Sequence, residues 1–290
     1  AQEVLNEHRQ ASAESVELGV VSHFGKETVT EVCLDLQSLS MHTFVTGSTG
    51  AGKSNTVYQI LSQLPGKGVH FLVVEPAKGE YKNVFGHRGD VSVYGTNPKI
   101  MNLLRINPFS FPKEIHIYEH LDRLIEIFNV CWPMYAAMPA VLKDAVERAY
   151  AASGWKLDVS ECRYHDSKNN PLYPGFMDVL NQINVVMNES QYSSDSKGDY
   201  KGALSTRLKS LTNGLYGQIF TADEILAKQL FDENIIIDLS RTGSGETKSL
   251  IMGLLIMKLQ EYRMSAAASG NQPLKHITVL EEAHNILKRT

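Results

Sequence analysis

Several features that define common protein classes are scarce in this sequence. It has three cysteines, Cys33, Cys131 and Cys162, and no CxxC pair, which argues against a disulfide framework and a structural zinc site. The formal net charge is −4, so any contact with nucleic acid must come from a local patch or from several subunits together. The longest apolar run, SLIMGLLIM, is about half a membrane span, and the first ten residues are too polar for a secretory signal. We therefore expect a cytoplasmic protein with no membrane span.

The order of apolar patterns predicts an α/β fold. Two short strands lie around a glycine turn before residue 40, and HTFVT predicts a short buried strand at residues 42–46. Four further strands are predicted from VHFLVVEP, VSVYG, NIIIDLS and HITVL. A helical period follows HTFVT and ends at Pro65, and another spans about 246–264. Strands that alternate with helices are typical of a mostly parallel sheet.

Residues 105–220 break this alternation with four helical patterns. One is the stripe from Ile117 to Phe128, one starts at Pro139, and the others are GFMDVLNQINVVM and ALSTRLKSLT. We interpret this segment as an inserted all-helical subdomain. The predicted division is residues 1–104 for the N-terminal strands and the first part of the core, 105–220 for the insert, and 221–290 for the second part.

The strongest motif is GSTGAGKS at residues 47–54, which matches the GxxxxGKS phosphate-binding loop, or P-loop. Its glycines let backbone N–H groups point inward, and the helix that follows directs its positive end at the same anion. Lys53 is suited to the β- and γ-phosphates of ATP and Ser54 to Mg²⁺. A chance match in a Gly/Ser-rich turn is the alternative, but the motif lies between a predicted strand and a predicted helix, as the chemistry requires. The predicted nucleotide contacts are Gly47, Ser48, Thr49, Gly50, Ala51, Gly52, Lys53, Ser54 and Asn55.

A second motif, ITVLEE, ends the predicted last strand with two acids, the Walker B arrangement. Consecutive residues at a strand end point in different directions, so one carboxylate can serve the metal and the next the attacking water. We assign Glu281, with Ser54, to Mg²⁺ and Glu282 to the water as catalytic base. The alternative is that the two glutamates lie in the first turn of a solvent-exposed helix, where acids are favoured.

Weaker candidates are single charged residues near strand ends. Glu75 could orient water or Mg²⁺, or it could be a carboxylate satisfied by its own loop. Arg241 could be an arginine finger that reaches a neighbouring subunit's ATP, or it could pair with Asp238 or Glu246. Arg207 is a rival finger.

A modestly basic strip could contact DNA. It lies between residues 197 and 209 and is diluted by two aspartates, so a solvated helix face is the alternative. Its members are Lys197, Lys201, Arg207 and Lys209.

With these motifs placed, the chain resembles the HerA/FtsK superfamily of ring-forming P-loop motors, in particular the HerA-like group and related conjugation ATPases. The resemblance is carried by HTFVTGSTGAGKSNTV, VVEPAKGEY, LSTRLKSL, IIIDLS and VLEEAH, from about residue 16 to the end. It implies a RecA-like P-loop core and a hexameric, DNA-pumping ATPase that uses ATP and Mg²⁺. Members of such families can serve DNA-end processing, plasmid transfer or antiviral defence.

Two departures from the family pattern shape our expectations. Only about 40 residues precede the P-loop, where HerA proteins usually carry a β-barrel, and no sensor strand follows EEAH. We therefore expect the sequence to be part of a longer polypeptide, whose other part can hold the family's usual trans-acting arginine.

The leading functional hypothesis is ATP-driven translocation of double-stranded DNA. One alternative is a conjugation or secretion ATPase that moves protein or protein-bound DNA. Another is a nucleotide-gated scaffold for a nuclease or other effector partner. A small-molecule kinase is the least supported, because adjacent acids fit water activation better.

Overall fold

The computed structural model describes residues 14–266 and 272–283. The strands are β1 (Ser15–His23), β2 (Lys26–Asp35), β3 (His70–Glu75), β4 (Val91–Gly95), β5 (Asn102–Leu103), β6 (Trp155–Lys156), β7 (Glu161–Cys162), β8 (Asn234–Asp238) and β9 (His276–Leu280). The helices are α1 (Lys53–Gln63), α2 (Tyr81–Phe85), α3 (Ile117–Cys131), α4 (Met138–Ala152), α5 (Phe176–Glu189), α6 (Ser194–Thr212), α7 (Gly214–Ile219), α8 (Ala227–Phe231) and α9 (Gly245–Ser265).

Five strands form the central sheet, in the order β5-β4-β8-β3-β9, and every described pair in it is parallel. Glu75 of β3 lies opposite Asp238 of β8, and Val74 lies opposite Leu280 of β9. The carboxyl ends of three neighbouring strands, β8, β3 and β9, therefore meet at one edge of the sheet. Ligands of parallel sheets bind at this edge.

The sheet is buried on both faces, which explains why its strands are almost wholly apolar. Phe71 and Val73 of β3 pack with Leu61 of α1 in one cluster. Leu72 and Val74 point the other way, into a larger cluster built with α3, α9 and the other helices of the chain's middle segment. The predicted α/β class with a mostly parallel sheet is confirmed.

The two N-terminal strands form a separate antiparallel hairpin. Its two-residue turn has positive φ at both Phe24 (49°) and Gly25 (73°), the backbone that matches the twist of a hairpin. The hairpin is fixed to α1 because Gln63 accepts from the Glu17 N–H at 3.0 Å and donates to the Glu17 carbonyl at 2.8 Å.

The predicted buried strand HTFVT is wrong. Residues 42–46 have no regular secondary structure, and Phe44 is 84% exposed. A strand needs a neighbour to pair with, and within the described residues β9 pairs with β3 alone. The residues of this run favour β structure, but within the described residues they have no neighbouring strand with which to form backbone hydrogen bonds.

The segment after β5 holds the predicted helices, α3 to α6. It leaves and rejoins the core at one place, because the Ile106 N–H donates to the Ile219 carbonyl at 2.8 Å and the Thr221 N–H donates to the Ile106 carbonyl at 3.2 Å. The segment is not all-helical as predicted, since β6 and β7 form a small antiparallel hairpin. The two strands are two residues each, too short to leave a periodic signal in the sequence.

No helix of the described residues has both the length and the apolar character of a membrane span.

Candidate functional site

The loop of residues 47–52 has the backbone that phosphate binding needs. Gly50 and Gly52 have φ of 80° and 90°, a left-handed conformation that favours glycine. A Cβ at either position would meet nothing within 4 Å, so it is the backbone conformation that requires glycine here and not crowding. Helix α1 begins directly after, at Lys53, and presents its N-terminal N–H groups to the loop.

Lys53 lies folded over this loop. Its Nζ donates to the carbonyls of Gly47 at 2.9 Å and of Ser48 at 3.0 Å. The ammonium group thus lies against the glycine loop, at the N-terminal end of α1. A cation at the start of a helix suits the phosphates of a nucleotide.

Three acids end the neighbouring strands at the same edge of the sheet. Asp238 ends β8, Glu75 ends β3, and Glu281 follows β9 directly, with its N–H donating to the Val74 carbonyl at 3.2 Å. Both oxygens of the Asp238 carboxylate already have a partner. Lys82 Nζ lies 2.5 Å from Oδ2, and the Ser240 N–H donates to Oδ1 at 2.8 Å. Burial alone would raise the pKa of Asp238, but these bonds outweigh it and lower the pKa.

Glu75 is 2% exposed and holds the turn that follows β3. Its two carboxylate oxygens accept from the N–H groups of Glu80 at 2.7 Å and Tyr81 at 3.1 Å. Burial raises the pKa of Glu75, and the nearby Asp238 and Glu281 add to the rise, against the effect of the two N–H bonds. The Glu75 carboxylate is therefore satisfied by its own loop, which is one of the two alternatives that the sequence left open. It also lies among the other acids of the site.

Two tyrosines connect the P-loop helix to Glu281. The Tyr81 hydroxyl donates to Glu281 Oε1 at 2.6 Å, and its ring meets the Tyr58 ring edge-on with centroids 4.9 Å apart. Tyr58 lies on α1, one turn after Ser54. Burial raises the pKa of Tyr58 to about 12, and Glu281 is among the carboxylates that contribute. The helix that carries Ser54 is therefore joined to Glu281 by one chain of contacts through the two tyrosines.

The two adjacent glutamates differ in their surroundings. Glu281 is half-buried against Tyr81, whereas Glu282 is exposed and has a left-handed backbone, with φ of 49°. This turn of the chain separates the two carboxylates, as their predicted roles require.

The residues present fit a magnesium ion brought in with a nucleotide. No three His, Cys, Asp or Glu side chains of the described residues gather into a ready-made metal site. Mg²⁺ usually takes one or two carboxylates and completes its shell with waters and substrate phosphates. A hydroxyl at Ser54 and a carboxylate at Glu281 are hard oxygen donors of that kind.

The two candidate arginines have different surroundings. Arg241 is exposed and makes no ion pair with a described residue, and the partner considered for it, Asp238, is bound to Lys82. Arg207 lies half-buried on α6. Neither is in contact with Glu281 or the P-loop through any hydrogen bond that the described residues make.

Sequence reasoning missed Tyr58, Tyr81 and Lys82 as site residues. Tyr81 and Lys82 lie in α2, which is only five residues long and leaves no periodic signal. Tyr81 is 200 positions from Glu281, so no spacing could show the contact. The signal that existed was the segment VVEPAKGEY, which supplied Glu75 as a candidate and part of the family resemblance but did not point to Tyr81.

Gly79→Ala is expected to destabilise the protein more than Gly25→Ala. Both glycines are left-handed, with φ of 69° and 73°, which costs an alanine about 1–2 kcal/mol. A Cβ at Gly25 meets nothing, but at Gly79 it would lie 3.0 Å from Ser240 Oγ and 3.1 Å from both Asp238 Oδ2 and Lys82 Nζ. We expect an extra loss of about 1–3 kcal/mol as the buried carboxylate loses a partner. Equilibrium urea unfolding measures both, and equal losses would contradict the close packing around Asp238.

Comparisons with known proteins agree with this geometry. The family model "Helicase HerA, central domain" matches residues 16–259. Among solved structures, VirB4 of Thermoanaerobacter pseudethanolicus is similar in fold, with a TM-score of 0.63 and 17% sequence identity, over 94% of this chain and 69% of that one. No match was found among curated proteins. The chain therefore belongs to the HerA central-domain family of P-loop ATPases.

Proposed function

We propose that the chain is the ATP-hydrolysing core of a ring-shaped motor that translocates double-stranded DNA. The observation that carries the ATPase part is the contact path from α1, which starts at the P-loop, through Tyr58 and Tyr81 to Glu281. It joins the phosphate loop at one end of α1 to the acids at the carboxyl edge of the sheet. These are the two halves of a hydrolytic nucleotide site.

Each group in the site has a distinct part in the proposed hydrolysis. Lys53 balances the charge of the β- and γ-phosphates, together with the loop N–H groups. Ser54 and Glu281 would hold Mg²⁺, which when bound would neutralise phosphate charge in the transition state. Glu282, exposed and outside the Tyr81 contact, takes the proton of the attacking water.

We propose that the motor works as a hexamer and that Arg241 reaches a neighbouring subunit's nucleotide. Its exposure and its lack of an ion pair within the described residues support this role. An arginine that acts across a subunit boundary stabilises the charge that develops on the transferred phosphate. None of the three cysteines forms a disulfide within the described residues, which fits a reducing compartment, and we propose the cytoplasm.

The proposed DNA contact is the basic strip of α6. In the described part of the chain, none of its four cations makes an ion pair, although Asp195 and Asp199 lie on the same helix. Lys201 and Lys209 are exposed. Exposed cations on one helix are suited to phosphates of a DNA backbone.

The test is Mg²⁺-dependent ATP turnover with and without duplex DNA. We expect DNA to raise the rate, and the rise to weaken steeply with added salt. Lys201→Gln/Lys209→Gln should lose most of the DNA effect. The control Lys143→Gln should keep it, because Lys143 already pairs with Asp122 at 2.8 Å.

The alternatives predict different outcomes of the same test. Turnover that ignores DNA, combined with ATP-dependent assembly, would favour a nucleotide-gated scaffold for a nuclease or antiviral effector. Stimulation only by a protein or protein-bound DNA would favour a conjugation or secretion ATPase. Absence of Mg²⁺-dependent turnover under all conditions would contradict the proposed function.

A further inference from the structure

Glu281 depends on one neighbour for its orientation. A glutamate side chain has three rotatable bonds, and a half-buried one can adopt several rotamers. The Tyr81 hydroxyl donates to Oε1 at 2.6 Å, the length of a strong bond to a charged acceptor. This bond leaves Oε2 for another partner. Tyr81 therefore fixes which way the carboxylate faces.

Tyr81 is itself held rigidly. It is 1% exposed, and its N–H donates to the buried Glu75. A hydroxyl donor on a buried ring whose backbone is also fixed is suited to positioning a carboxylate.

The same tyrosine also contacts the P-loop helix. Its ring packs edge-on against Tyr58, with an interplanar angle of 82°. Tyr58 lies on α1, one turn after Ser54, so the P-loop helix and Glu281 are connected through direct contacts of the two tyrosines.

We propose that Tyr81 is a positioning residue that holds Glu281 for the metal ion and couples it, through Tyr58, to the P-loop. This inference rests on the proposed ATPase function. Groups that orient a metal ligand typically change metal affinity or activity about 10- to 100-fold when they are removed.

The test variant is Tyr81→Phe, which keeps the ring against Tyr58 and removes only the hydroxyl. Binding of Mn²⁺, followed by electron paramagnetic resonance in the presence of a non-hydrolysable ATP analogue, should weaken about 10- to 100-fold. Binding of the analogue without metal should stay within about twofold of wild type, because Lys53 and the loop are unchanged. High Mg²⁺ should restore part of the lost turnover.

The matched control is Tyr262→Phe. Tyr262, near the end of α9, also donates its hydroxyl to a carboxylate, that of Asp232, which lies just before the start of β8 and so at the opposite end of the strands from Glu281. Its removal should leave metal binding unchanged. In a Glu281→Gln background, Tyr81→Phe should add little, because the tyrosine acts through the glutamate.

Three outcomes would overturn the inference. Metal affinity in Tyr81→Phe equal to that of the control would show that the hydroxyl does not position Glu281. An equal loss of metal-free analogue binding would show that Tyr81 only supports the loop. Additive effects in the Glu281→Gln background would mean that the two residues act independently. A wild-type protein that binds no ATP analogue would instead refute the proposed function itself.

Discussion

Lys53→Ala is expected to abolish measurable ATP binding. The substitution removes the cation that lies against the glycine loop, where its Nζ donates to the Gly47 and Ser48 carbonyls. Bonds from a charged donor to phosphate oxygens contribute about 1.5–3 kcal/mol each, so losing two or more weakens binding by at least about 100-fold. Isothermal titration calorimetry with ATP and Mg²⁺ measures the affinity.

The control for this variant is Lys113→Ala. Lys113 is exposed and lies outside the site, just before α3, so its loss should leave ATP affinity unchanged. Lys53 bonds only to its own loop, so the variant should unfold at nearly the wild-type temperature. ATP affinity of Lys53→Ala close to that of wild type would mean that the glycine loop does not bind phosphate.

Glu282→Gln is expected to bind ATP and to stop turning it over, with a loss of about 10²–10⁴-fold, as when a general base is removed. The amide has the shape of the carboxylate but cannot accept a proton from water. Glu281→Gln should instead raise the Mg²⁺ concentration needed for binding, since it removes a charge from the ion's ligand. Phosphate release and nucleotide affinity, each measured against Mg²⁺ concentration, separate the two effects.

The structure gives a reason to expect this division of roles. Glu281 is tied to Tyr81 and half-buried, whereas Glu282 is exposed beyond the turn of the chain. If Glu281→Gln proves to be the variant that traps ATP without hydrolysis, the assignments of metal ligand and base must be exchanged.

The main elements of the core could be predicted because their signals are local. A wholly apolar strand such as β3 and a helical stripe such as that of α3 are visible in a dozen residues of sequence. The acids of the site were also found, since a carboxylate at the end of an apolar run marks the carboxyl edge of a parallel sheet.

The features that were missed depend on contacts between distant parts of the chain. Residues 42–46 have the composition of a strand, but a strand forms only where a neighbouring strand can pair with it, and composition does not show whether one is there. Asp238 pairs with Lys82, 156 positions away, and not with the nearby Arg241. The tyrosine path from α1 to Glu281 joins three elements that no periodicity connects.

The most direct test of a single shared ATP site is an experimental structure with Mg²⁺ and a non-hydrolysable ATP analogue. We predict that the loop of residues 47–54 surrounds the phosphates and that Lys53 leaves the two loop carbonyls for phosphate oxygens. The ion should be bound near Ser54 and Glu281, with Tyr81 still donating to Glu281 and Glu282 facing the terminal phosphate. A nucleotide bound elsewhere, or phosphates in the loop with Glu281 and Glu282 both turned away from them, would contradict the shared site.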